Sequence, residues 1–287
     1  MSLDPSNSVR NTAWGIGEPA IAGATHVGVV RRVNQDAFFR WDDAQRGEIL
    51  LVVADGLGGH RGGEVASQMA TQMIGPLVAM GDRRPPERLV HAIGEANRMI
   101  HEAARKDDTL EGMGTTVVCL LLSRDGPAWV AHVGDSRLYR LRDEAFEPLT
   151  EDHSLVATLV REGVLRPEEA RTDPRKNQIL RALGVRKEVE VDVVPLEPMP
   201  GDAYLLCTDG LHGLVDERDI QTLALEPGEP GLAIEKLIEA ANRAGGTDNV
   251  TCMLARFPES ATGPASRQDL LRRLNAARAS ERPRDPE

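Results

Sequence analysis

Aromatic side chains are scarce in this 287-residue chain: three Trp, two Tyr and four Phe, 3% of the total. Stacking platforms for single-stranded nucleic acid draw on such residues, so that class of function is disfavoured. Positive charge is in deficit too. Lys and Arg number 34 against 45 Asp and Glu, a net charge of −11, which argues against a dominant nucleic-acid surface. Long hydrophobic runs are missing. ILLVVA at 49–54 falls far short of the ~18 residues a membrane helix needs. No basic, apolar, small-residue leader pattern opens the sequence, and a cytoplasmic protein is expected. Cysteine is confined to Cys119, Cys207 and Cys252, each inside an apolar run. Three buried, reduced thiols are the plain expectation, and no Cys/His cluster has the spacing of a structural zinc site.

What is present reads as a globular protein, 41% hydrophobic and 28% charged. Its length allows one large domain or two small ones. Residues 1–20 lack periodicity and read as an N-terminal extension. Residues 258–287 are rich in Arg, Ala, Glu and Pro and read as a flexible or partly helical tail, with one candidate helix at 267–279. Between them, strand-like apolar runs fall near 25–30, 37–41, 49–54, 115–122, 128–133, 137–141, 203–208 and 250–257. One-sided apolar stripes at helical spacing fall at 62–80, 87–105 and 231–243. Strands follow one another through short links such as Ser123–Pro127, and helices come in separate blocks. Short links imply antiparallel hairpins, so the pattern predicts an α+β architecture rather than a doubly wound parallel sheet.

One motif recurs. An apolar strand ends in aspartate followed by a small residue at Asp55-Gly56, Asp135-Ser136 and Asp209-Gly210, while Asp36 and Asp248 sit in polar, turn-like settings. Carboxylates converging at buried strand ends repel one another unless a cation or protons neutralise them. All-oxygen ligand sets suit Mg²⁺, Mn²⁺ or Ca²⁺. The structural alternative is equally concrete, because Asp-Gly after a strand is also a common turn. The run DGLGGHRGGE at 55–64 carries five glycines in ten residues. Glycine there lets the backbone approach a ligand, and a backbone carbonyl can bind a hard cation. No phosphate-loop or dinucleotide fingerprint is present.

Eight motifs in order give these residues a context: RRVNQD (31–36), VVADGLGGH (52–60), GMGTT (112–116), HVGDSRLYRLR (132–142), LTEDHSL (149–155), ILRALG (179–184), LLCTDGLHGLV (205–215) and GTDNVT (246–251). Together they resemble the metal-dependent protein phosphatases of type 2C, in their bacterial form, over residues 21–257. The resemblance implies two stacked antiparallel sheets flanked by helix pairs, an αββα sandwich with metals at one end. It implies hydrolysis of phosphoserine and phosphothreonine in proteins by a metal-bridged hydroxide, with no phosphoenzyme. Asp36, Asp55, Asp209 and Asp248 align with carboxylates around a pair of Mn²⁺ or Mg²⁺ ions. Gly56 aligns with a carbonyl ligand, and Asp135 with the acid that shares a third, weaker ion with Asp209. Arg31 matches the arginine that grips substrate phosphate. The same five acids and Arg31 therefore make up the expected metal, catalytic and substrate-binding set. Segment 152–184 matches a mobile flap bordering the site. Phosphoproteins and an opposing Ser/Thr kinase are the implied partners, with the chain acting as a monomer.

Two positions depart from the family pattern. Gln35 stands where many relatives have Glu. Leu57 stands where eukaryotic members have a histidine proposed as general acid, and His60 lies three residues further on. His132, His153 and His212 read as hydrogen-bonded structural residues rather than catalysts. Two rival readings are a non-catalytic phosphoprotein-binding module on the same fold and a small-molecule phosphohydrolase. The presence of Asp36, Asp55, Asp209, Asp248 and Arg31 together disfavours the first. Absence of an Asp-x-Asp nucleophile motif before a helix lowers the second.

Overall fold

The computed structural model describes residues 16–58, 61–124 and 126–259. The tail helix expected at 267–279, most of the N-terminal extension, and His60 lie outside these residues. Two antiparallel sheets carry the fold. One orders its strands β1 (Ala20–His26), β11 (Val250–Arg256), β10 (Ala203–Cys207), β7 (Arg137–Arg142) and β8 (Ala145–Pro148). The other orders β2 (Asp36–Asp43), β3 (Glu48–Leu57), β5 (Val117–Ser123), β6 (Ala128–Val133) and β9 (Asp192–Leu196), with short β4 (Gly114–Thr115) paired to the end of β3. Every pairing is antiparallel.

The apolar runs are nearly continuous because the central strands are buried on both faces. In β3, Ile49, Leu51 and Val53 point between the sheets, where they join Leu120, Leu138, Tyr204, Leu206 and Met253. The alternate residues Leu50 and Val52 face outward and pack under α1 (Gly62–Met80) and α2 (Pro85–Lys106), against Ala70, Ile74, Leu89 and Ile93. On the far sheet, Leu205, Cys207, Cys252 and Leu254 turn outward beneath α6 (Glu217–Leu225) and α7 (Pro230–Arg243). Period-two alternation across a sheet thus creates three apolar layers, one between the sheets and one under each helix pair. The α+β sandwich expected from the motifs is the architecture found.

Differences from the sequence expectation have local causes. The strand expected at 25–30 runs instead from Ala20 to His26. Gly28 then turns the chain at φ +81°, and the amides of Val29 and Val30 both donate to the Gly246 carbonyl. A Cβ at Gly28 would lie 2.3 Å from the Asp248 carbonyl oxygen, so only glycine fits. Strands β8 and β9 and helix α6 escaped the pattern search. The first two are short edge strands, and β9 contains Pro195, which reads against a strand in sequence but is tolerated at an edge. Two further short helices, α3 (Leu155–Arg161) and α4 (Pro167–Ala170), lie in the flap segment, and α5 (Asp209–His212) is a single turn after β10. No described helix is long and apolar enough to cross a membrane.

Candidate metal centre

Antiparallel pairing gathers all five aspartates at one end of the sandwich. Asp36 opens β2 and pairs directly with Asp55 near the end of β3. Asp209 follows β10, and Asp248 precedes the adjacent β11. Asp135 follows β6. Residues up to 212 positions apart in sequence are thus neighbours because the strands bearing them alternate in direction.

The site is electrostatically costly as a set of bare acids. Burial, reinforced by Asp209 and Asp248, pushes Asp36 up to about 7 against two hydroxyl donors, Thr251 Oγ1 at 2.7 Å and Thr208 Oγ1 at 2.9 Å, which hold Asp36 Oδ2. Burial likewise raises Asp55 well above the usual carboxylate range, with Asp36 the charge that most opposes its ionisation. Burial and the Asp209 charge push Asp135 up to about 8. Asp209 is raised by burial and then by Asp248. Buried Oδ1 atoms of Asp135 and Asp209 have no hydrogen-bond partner. Unsatisfied, mutually repelling oxygens in a buried cluster are what a hard cation would satisfy.

The glycines distinguish a built site from a set of turns. Gly56 lies inside β3 rather than in a turn. A Cβ there would sit 2.2 Å from the Gly63 carbonyl oxygen and 2.4 Å from that of Gln35. The Gly56 amide donates to the same Gln35 carbonyl. Gly210 is the second residue of α5, and its Cβ would lie 1.8 Å from the Asn249 carbonyl oxygen. Both residues are small because backbone segments close in on one another beside Asp55 and Asp209.

Arg31 lies at the rim, about half exposed. It donates from Nη2 to Asp248 Oδ2 at 2.8 Å, while Asp248 Oδ1 accepts the Asn249 amide. Its charge, with that of Lys176 on the flap, favours ionisation of Asp209 against the burial and repulsion that dominate there. Sequence reading missed several supports: Thr208 and Thr251 on Asp36, Thr116 Oγ1 accepting the Asp55 amide, and Asn249, which donates to the Val27 and Val33 carbonyls and accepts the Gln35 amide. Thr208 and Asn249 directly adjoin the singled-out acids, which was the available signal. Gln35 Nε2 donates to the Gly58 carbonyl, so the side chain braces the glycine loop.

The histidines are structural, as expected. His212 Nε2 donates to the Asp135 carbonyl, and burial lowers its pKa to about 3. His132 and His153 stack at 4.7 Å. With Asp192 they place ligand-type atoms within 4.8 Å of one another, the one such group of three among the described residues. A cation already occupies this group: Arg181 Nη1 lies 3.1 Å from His153 Nε2 and donates to Asp192 Oδ1, while His153 Nδ1 accepts the Gly134 amide. The cluster ties the flap base to β6 and β9. Thiol chemistry is absent as well: all three cysteines are buried, and burial pushes Cys252 up to about 12.

Comparison with known proteins agrees with this arrangement. Residues 22–240 match the family model described as protein phosphatase 2C. The chain is 38% identical over 237 residues to the serine/threonine phosphatase stp of Listeria innocua, covering 80% of this chain and 92% of that protein. It is 36% identical over 241 residues to the protein phosphatase PhpP of Streptococcus pneumoniae, covering 82% and 96%. Among solved structures, the Staphylococcus aureus serine/threonine phosphatase Stp1 superposes with a TM-score of 0.77 at 32% identity, covering 83% of this chain and 94% of that one. The catalytic domain of the phosphatase PstP, solved with two manganese ions, gives 0.72 at 35% identity, covering 84% and 99%. By sequence and by fold, the chain belongs to the protein phosphatase 2C family and is a metal-dependent serine/threonine protein phosphatase.

Proposed function

We propose that Asp36, Asp55, Asp209 and Asp248, with the Gly56 carbonyl, hold two Mn²⁺ or Mg²⁺ ions, and that Asp135 shares a third, weaker ion with Asp209. The observation that carries this reading is the buried, mutually repelling cluster with orphaned oxygens on Asp135 and Asp209. Two divalent cations, when bound, lower the pKa of a shared water and offset phosphate charge. The chain supplies the rest. Arg31, already oriented by Asp248, presents the remaining guanidinium donors to phosphate oxygens, a fork that lysine does not reproduce. Thr208 and Thr251 fix Asp36 so that one of its oxygens stays committed to them. Leu57 moves no proton, so the leaving serine or threonine oxygen takes its proton from elsewhere than that position. Phosphoproteins made by an opposing Ser/Thr kinase are the proposed substrates, met in the cytoplasm by a monomer.

Arg31→Ala tests the division of roles. The variant is expected to raise KM for a phosphothreonine peptide about tenfold or more, from the loss of charge-assisted hydrogen bonds worth ~1.5–3 kcal/mol each. Mn²⁺ affinity measured by calorimetry should change much less. Unchanged KM together with lost metal binding would make Arg31 a structural partner of Asp248 and remove its role as phosphate grip.

A further inference from the structure

A cavity of about 660 Å³ adjoins the metal centre, with Asp135, Asp209 and Asp248 lining one end. That volume lies in the ~300–1,000 Å³ range that encloses a whole drug-sized ligand, far more than a phosphate group requires. Its side wall is the flap. Val156, Ala157 and Val160 of α3 and Pro167 and Ala170 of α4 line it, with Leu214 after α5. The flap is pinned at its base rather than loose. Ser154 bridges Ile179, the Leu155 amide donates to Gln178, and the Leu180 amide donates to His153. The apolar wall is therefore held at a fixed place beside the acids.

The charges around this cavity are unequally committed. Arg137 forms a two-pronged pair with Asp152 and also meets Glu217, and Arg161 pairs with Glu151. Arg171 reaches Asp216 only at 4.0 Å. The exposed Lys176 ammonium has no hydrogen bond or ion pair among the described residues, yet its charge is felt at Asp209. On the flap side of the cavity, away from the aspartates at its metal end, the charge left unpaired is positive, on a chain whose net charge is −11.

We propose that this cavity is a peptide subsite that selects phosphosites with an aliphatic residue and a carboxylate close to the phosphorylated one. The inference rests on the metal centre being where the phosphoester is cleaved. Consecutive residues of an extended peptide are ~3.5 Å apart. The residues one or two positions from the phosphorylated one then fall within ~7 Å of it, beside the metal end. An aliphatic side chain fits against the α3–α4 wall, and a carboxylate on the same peptide pairs with Lys176. A phosphorylated metabolite would engage the metal end but leave the apolar wall unfilled.

The test is a panel of phosphothreonine peptides with Leu, Gly or Lys at positions flanking the phosphothreonine, each with and without a nearby Glu, alongside p-nitrophenyl phosphate. The wild-type enzyme with Mn²⁺ should prefer the peptide bearing Leu and Glu over that bearing Gly and Lys at least tenfold in kcat/KM, the scale on which a hydrophobic pocket discriminates. Ala157→Phe fills the wall and should bring the Leu-to-Gly ratio to near one. Lys176→Glu should reverse the preference for Glu over Lys. A wild-type enzyme indifferent to every flanking residue overturns the proposal, as does an Ala157→Phe variant that keeps the ratio. If Ala157→Phe fails to fold, the wild-type panel and Lys176→Glu decide. Absence of phosphate release from every substrate, p-nitrophenyl phosphate included, would instead undo the assignment of the metal centre.

Discussion

Asp209→Asn is expected to lower Mn²⁺-dependent turnover of a phosphopeptide by more than ~100-fold, at or beyond what loss of a metal-site partner typically costs, while raising the melting temperature of the EDTA-treated protein. The two effects have one cause. Asp209 is raised by burial and by the Asp248 charge, and its Oδ1 has no partner. Replacing the carboxylate with a neutral amide relieves repulsion and removes a ligand. A purely local role predicts almost no stability change. Asp209 starts the single turn of α5, and its backbone carbonyl, which Asn keeps, accepts the Gly213 amide. Asn also serves a helix start about as well as Asp, so an acid retained for that turn alone would leave both stability and metal dependence intact. An unchanged melting temperature with wild-type turnover would therefore return Asp209 to being a turn residue.

Stability of the EDTA-treated protein should fall as pH rises from 6.5 to 8. Asp36 and Asp135 have folded-state values of about 7 and about 8, both raised from 3.8 mainly by burial. The folded state holds protons that the unfolded state has already released. Stability is then greatest below the unfolded value and falls until the pH passes the folded values. His212, lowered to about 3 by burial, acts in the opposite direction, but only below its unfolded value of about 6.5. Above pH 6.5 the acids act alone. Across this window the two acids together cost about 2 kcal/mol, on the order of 5 °C for a domain of this size. Saturating Mn²⁺ should abolish the slope, because the ions bind the deprotonated carboxylates. Thermal melts at pH 6.5, 7.2 and 8.0 with EDTA or with Mn²⁺ measure it, and equal slopes in both series would contradict the account.

Much of this site was legible in the sequence, for a physical reason. Strands buried on both faces read as apolar runs, and such runs end where the chain meets solvent, so acids at their ends stood out at Asp55, Asp135 and Asp209. Asp36 and Asp248 stood out less, in polar, turn-like settings, and the family motifs added Arg31. Pattern alone did not say that these ends converge. Convergence depends on the order β1-β11-β10-β7-β8 and on antiparallel direction, which are properties of pairing between distant segments. Thr208, Thr251 and Asn249 were missed because a hydroxyl or amide that orients a carboxylate resembles one that caps a turn. The meaning of Gly56 changed most. Expected as a carbonyl ligand after a strand, it proved to lie within β3, at a closeness to Gly63 and Gln35 that only the folded backbone reveals.

Phosphate release from a phosphothreonine peptide by EDTA-stripped protein, titrated with Mn²⁺ and with Mg²⁺, tests the central claim most directly. Activity should be undetectable without metal, rise saturably with added ion, and disappear again on excess EDTA. Phosphate release that persists in excess EDTA would contradict a mechanism built on these five carboxylates.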